Sequence, residues 1–145
     1  MSSLCKRLAF IVACFISSTA MAQTSKETPL PFSPYRAVNG FIFVSGQIGL
    51  NPQSGKLVTS SFADEVKQTM ANIQGVLRQA SVDFSNVVTV TVYLKDIKQF
   101  AAFNEVYVQY FQPPLPARTC VAVKELVLDA NVEVTVTAAV SNKEP

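Results

Sequence analysis

The 145-residue chain contains no histidine. That removes Ser-His-Asp and Cys-His catalysis in their usual forms, together with the commonest zinc ligand sets. Glycine is sparse, at 5 residues, and Gly46 and Gly49 flank Gln47-Ile48 without the pattern of a phosphate-binding loop. Neither sign of charge dominates, with Lys+Arg 12 against Asp+Glu 10, and the positive charges are scattered rather than gathered into a basic patch. Nucleic-acid affinity rests mainly on clustered Lys and Arg, so that partner is not expected. There is no internal repeat and no low-complexity stretch.

What is present begins with a leader. Lys6 and Arg7 precede the apolar run Leu8 to Ile16, followed by Ser17-Ser18-Thr19-Ala20-Met21-Ala22. Basic, then apolar, then Ala20-x-Ala22 is the layout of a secretory signal peptide (1–22) cut before Gln23. The run is shorter than the ~20 apolar residues of a membrane span. A rival reading takes Ile11-Val12-Ala13-Cys14 as a lipoprotein cleavage box. Cleavage after Ala22 removes Lys6 and Arg7, leaving 10 basic against 10 acidic residues. It also removes Cys5 and Cys14, so Cys120 stands alone and no internal disulfide can form. The expected location is periplasmic or secreted, with no membrane association after cleavage.

Residues 23–29 read as a flexible polar lead-in, and 30–145 as one domain. Asn39-Gly40 is a turn signal between Leu30–Val38 and the apolar run Phe41–Ile48, which together predict a hairpin. Asn51–Lys56 is a loop with Gly55 at positive φ. Ser61 and Asp64 form a helix-capping signature. Phe62, Val66, Met70, Ile73, Leu77 and Ala80 then make one helical stripe. Val87–Leu94 is a strand. Asp96–Phe111 reads as a second helix with Phe100, Phe103, Tyr107, Tyr110 and Phe111 on one side, stopped by Pro113, Pro114 and Pro116. Cys120–Val123 and Val132–Val140 are the last strands. The order β-β-α-β-α-β-β predicts an α+β fold, a single sheet with two helices packed on one face.

The candidate chemistry lies in the last two strands. Pro116-Ala117-Arg118-Thr119-Cys120-Val121 sets a fixed cation beside a thiol, and Glu133 sits within Val132–Val136. A guanidinium grips both oxygens of a carboxylate, and a carboxylate can orient water or move a proton. Each residue also has a plainer reading. Arg118 can be a surface ion-pair partner. Cys120 can be a small buried hydrophobe. Glu133, alternating with Val132 and Val134, can be the solvated side of a strand.

The pieces Ser33-Pro34-Tyr35, Ser45-Gly46-Gln47-Ile48 with Asn51-Pro52 and Gly55, Asn72-Ile73, Val90–Asp96, Phe103-Asn104 with Tyr107, Pro116–Val121 and Val132-Glu133-Val134 occur in order. In this the chain resembles the RidA (YjgF-type) family of reactive imine/enamine deaminases, from about Pro31 to Val140. The resemblance implies a chorismate-mutase-like homotrimer with its sites in the clefts between subunits. It implies hydrolytic deamination of 2-imino and enamine acids, such as 2-iminobutanoate and 2-iminopropanoate (the tautomer of 2-aminoacrylate), to 2-oxo acids and ammonia, without cofactor or metal. It implies that Arg118 binds the substrate carboxylate and Glu133 handles water and proton. Tyr35 and Cys120 would line the pocket, with Ser45 and Asn104 as supporting hydrogen-bonders. The chain departs from the family's pattern at Val127, where proline is usual, and at Thr135, where a second glutamate is common. The rival functions are carboxylate binding without turnover, a redox-controlled holdase, and an endoribonuclease, the last opposed by the neutral charge.

Overall fold

The computed structural model describes residues 31–140. The expected leader (1–22), the lead-in (23–29), Leu30 and residues 141–145 lie outside the described residues. Asn39 and Gly40 both take positive φ, 48° and 77°. That is the geometry a two-residue turn needs to match the right-handed twist of its strands. It joins β1 (Tyr35–Val38) to β2 (Phe41–Val44) in the register Val38 opposite Phe41.

The apolar run expected as one strand from Phe41 to Ile48 breaks at Ser45-Gly46. The Ser45 N–H donates to the Pro34 carbonyl (3.0 Å), and its hydroxyl donates to the Ser33 carbonyl (2.7 Å). The first bond extends the β1–β2 register by one pair, and β3 (Gln47–Ile48) then resumes, shifted by one residue, on the strand that β2 also pairs with. The expected loop is a small hairpin, β4 (Leu50–Asn51) with β5 (Lys56–Leu57). Its turn is held by Asn51 Oδ1, which accepts from the Gln53 and Ser54 N–H groups, and Gly55 takes φ 65°.

Helix α1 (Phe62–Gln79) starts where its cap predicts. The Ser61 hydroxyl accepts the Asp64 N–H at 3.1 Å. Its stripe Val66, Met70, Ile73 and Leu77 is fully buried. Strand β6 (Val87–Leu94) has the expected bounds. The second helix is shorter than expected: α2 runs Phe100–Tyr107, flanked by 3₁₀ turns at Ile97–Gln99 and Val108–Tyr110. At its start Asp96 caps the Lys98 N–H only two residues on, which closes a tight turn before the α-helix begins. At its end Tyr110 and Phe111 stack around Phe84, and Phe111 is already extended. The last strands are β7 (Ala117–Ala122) and β8 (Val132–Ala139).

The strand order is β1-β2-β8-β6-β7, with β3 also on β8. β6 and β7 are parallel and the other pairs antiparallel. Both helices cover one face of this mixed sheet, as the sequence predicts. Ile42, Val44, Val90, Val92, Val132, Val134 and Val136 point into that layer and are buried. The other face is uncovered in the single chain. Phe41 and Phe43 are 44% and 47% exposed there, alongside Thr91, Tyr93, Thr135, Thr137 and Val121.

One buried carboxylate had no sequence signal. Glu65, 1% exposed in the first turn of α1, accepts the Asn131 N–H (2.7 Å) and the Asn131 side-chain amide (2.8 Å). The Asn131 carbonyl in turn accepts the Lys95 N–H at 2.9 Å. A side chain on Gly49 would come within 2.6 Å of the Glu65 side chain, so the absence of one lets β3–β4 close on the helix. Glu65→Ala orphans both Asn131 donors and leaves a cavity. It is expected to lower unfolding free energy by about 2–4 kcal/mol in urea titration. A loss under about 0.5 kcal/mol would show that the bonds carry no net stability.

Candidate functional site

β7 is an edge strand, and its register decides what Arg118 faces. Arg118 lies opposite Val90, whose side chain is buried under the helices, so the guanidinium points to the helix side. There it meets α2. Its Cζ lies 4.6 Å from the Tyr107 ring centroid, 5.5 Å from Phe100 and 5.8 Å from Phe103. These are cation–π distances, each worth about 0.5–2 kcal/mol. Among the described residues no carboxylate lies within ion-pair reach of Arg118. Burial pushes the Tyr107 hydroxyl above the ordinary phenol range, and the Arg118 charge opposes that rise.

Cys120, two residues on, shares this side and packs against the core, half-buried. Burial pushes its thiol up, against a smaller opposing pull from Arg118. This matches the reading of a small hydrophobe rather than an activated nucleophile. Asn104 is on α2, four residues after Phe100 and three before Tyr107, and so on the same side of the helix. Its Oδ1 is buried and accepts no hydrogen bond among the described residues. Arg118 and Cys120 thus share one side of β7, facing the helix that carries Asn104.

Glu133 is elsewhere. It lies opposite Tyr93 on β6 and Ile48 on β3, between the buried Val132 and Val134. It therefore projects from the uncovered face. Its carboxylate lies against Gly46, where any Cβ would collide with it. Among the described residues it has no ion-pair or hydrogen-bond partner. Ser45 adjoins Gly46, with its hydroxyl spent on Ser33, a structural bond. Asn72 holds this corner from α1, donating to the Ile48 carbonyl (2.9 Å) and the Leu50 carbonyl (2.8 Å). Tyr35 packs its ring against the core and donates its hydroxyl to the Gln79 carbonyl at 3.3 Å. It sits on β1, the opposite sheet edge from β7.

The residues singled out in the sequence thus fall into two groups within one chain. Arg118, Cys120 and Asn104 lie at one edge. Glu133 and Ser45 lie at the β3–β8 corner, with Tyr35 on the far edge strand. The aromatic support of Arg118 was legible only as a helix stripe, which reads as core. Among the described residues no cluster of His, Cys, Asp or Glu is suited to a metal, and no helix is long and apolar enough to cross a membrane.

Residues 23–140 match the family model described as Endoribonuclease L-PSP. The chain belongs to that family, the RidA/YjgF/RutC group. It is 42% identical over 134 residues to the 2-iminobutanoate/2-iminopropanoate deaminase of Capra hircus, covering 92% of this chain and 90% of that one. It is 45% identical over 117 residues to a RutC family protein of Aquifex aeolicus, covering 77% and 93%. The crystal structure of RidA from an Antarctic Psychrobacter superposes with a TM-score of 0.73 at 29% identity, covering 78% and 91%.

Two outcomes are expected. Alkylation of Cys120 by a neutral thiol reagent should rise with pH to an inflection above the ordinary thiol value of about 8.5. An inflection below that value would show an activated thiol. Gly46→Ala should leave the fold intact while a structure of the variant shows the Glu133 carboxylate swung away. An unmoved carboxylate would contradict the close packing.

Proposed function

We propose that this protein hydrolyses reactive 2-imino and enamine acids to 2-oxo acids and ammonia, at sites completed between copies of the chain. The observation that carries the reading is the Arg118 guanidinium, supported on aromatic rings at a sheet edge with no carboxylate partner among the described residues. A cation so placed suits a substrate carboxylate through paired N–H···O bonds. The deaminase names of relatives at 42% identity support the reaction type.

Glu133 holds the attacking water. Once the imine nitrogen is protonated, water adds to its carbon and gives a carbinolamine. Glu133 takes one proton from the water and returns it to the nitrogen, then takes the hydroxyl proton as the carbonyl forms and ammonia leaves. Acid–base help of this kind contributes about 10²–10⁴-fold, enough for a hydrolysis that already runs unaided.

Arg118 and Glu133 project from opposite sides of one sheet, so a single chain does not bring them together. A homotrimer in which the uncovered face, with Phe41, Phe43 and Val121, packs against the next copy would bring the Glu133 corner of one chain to the Arg118 edge of its neighbour. The apolar exposure of that face supports this arrangement. Tyr35 and the main chain at Cys120 line the cleft, and the Asn104 Oδ1 gains its donor there. The leader sequence supports a periplasmic or secreted location.

Carboxylate binding without turnover is the second reading, favoured by the separation of Arg118 from Glu133 within one chain. The test is ammonia release from 2-iminobutanoate generated in place by a threonine dehydratase. Arg118→Ala should cut kcat/KM by about 10²-fold or more, through loss of a charge-assisted bidentate contact. Glu133→Gln should lower kcat by about 10²–10⁴-fold with little change in KM. Full activity in Arg118→Ala would refute the anchor. Tight binding of 2-oxobutanoate with no turnover in the unaltered protein would move the assignment to the second reading.

A further inference from the structure

Three aromatic rings of α2, at a spacing of 3 and 4 residues, converge on one side chain of a different element. Phe103 is fully buried and Tyr107 is 9% exposed, as core residues are. Phe100 is 40% exposed, which hydrophobic burial does not explain. What the three share is Arg118, whose Cζ lies 4.6–5.8 Å from all three centroids. An arginine at a sheet edge ordinarily samples many rotamers and finds a carboxylate. This one meets the electron-rich faces of three rings instead, and among the described residues no acid competes for it.

We propose that Tyr107 and Phe100, with Phe103 beneath them, are positioning residues that hold Arg118 in its carboxylate-receiving orientation before the ligand arrives. The proposal deepens the reading of Arg118 as the substrate anchor and rests on it. The rings contact the side of the guanidinium turned to α2 and leave the remaining N–H groups for a carboxylate. The ring faces take none of the five N–H donors, and the Tyr107 hydroxyl beside Arg118 is a neutral acceptor that a carboxylate outcompetes through a charge-assisted bond. The rotamer freedom that a mobile arginine would lose on each binding event is instead lost once, during folding. A lysine would not substitute, because its point charge lacks the plane that lies over a ring.

The experiment uses the full mature chain and three variants: Phe100→Leu, Tyr107→Leu and the conservative Tyr107→Phe. The first reading is the mobility of the Arg118 Nε–H bond by nitrogen-15 relaxation in the ligand-free protein. The second is the affinity for 2-oxobutanoate, with KM and kcat measured beside it. Both leucine variants should make the Arg118 Nε–H more mobile. They should raise Kd and KM about 3- to 10-fold while kcat stays within about twofold, and Tyr107→Phe should restore both. Loss of stability alone, with Kd and mobility unchanged, is what a purely structural role gives, and it would overturn the proposal.

Phe100 is exposed enough for its leucine variant to fold, so Phe100→Leu decides if Tyr107→Leu does not. An Arg118 that is rigid in the unaltered protein and loosened in the variants, with no carboxylate bound by any of them, would uphold the platform and refute the anchor. An Arg118 equally mobile in all four proteins that bind 2-oxobutanoate would uphold the anchor and refute the platform.

Discussion

The period of two along β8 constrains nearly everything else. Val132, Val134, Val136 and Ala138 are buried under the helices, while Glu133, Thr135, Thr137 and Ala139 point the other way. β8 is the central strand, bonded to β2, β3 and β6, so its alternation sets the facing of its neighbours. Through β6 it fixes β7, where Arg118 is committed to the helix side by its pairing with Val90. A one-residue slip would exchange Glu133 for valine on the uncovered face and place a carboxylate in the core.

Most of the fold was legible because its signals are local. The Asn39-Gly40 turn, the Ser61 cap, the α1 stripe and the strand Val87–Leu94 each carry their own chemistry within a few residues. What was not legible depends on partners distant in sequence. The break of the first apolar run at Ser45 is a one-residue register shift against β8, where the Thr135 hydroxyl donates to the Val44 carbonyl. The Glu65–Asn131 bonds join residues 66 positions apart, and a glutamate in an amphipathic helix otherwise reads as solvent-facing. The second helix was read too long because an aromatic stripe looks the same in an α-helix and in the 3₁₀ turns that extend it.

The site was legible as a set of residues and illegible as an arrangement. Arg118, Cys120 and Glu133 were found by type and by resemblance. Spacing did not reveal that Arg118 and Glu133 leave the sheet on opposite sides, because that follows from register across three strands. Nor did spacing reveal that Phe100 and Tyr107 lie against the Arg118 guanidinium. Within one chain Arg118 and Glu133 are held apart, each without an ion-pair partner among the described residues: Arg118 on aromatic rings, Glu133 against the backbone of Gly46. Supports of this kind suit the hydrolysis proposed above, in which positioning and proton transfer are the main requirements.

The central claim is that a complete site takes its Arg118 from one chain and its Glu133 from another. Subunit complementation tests it most directly. Arg118→Ala and Glu133→Ala proteins, each inactive alone, would be unfolded together, refolded as a mixture and assayed for ammonia release. The account predicts that activity returns in the mixed assemblies, because some clefts then receive an intact Arg118 from one chain and an intact Glu133 from its neighbour. Mixed assemblies that form and stay inactive would contradict it, placing both residues of each site in a single chain.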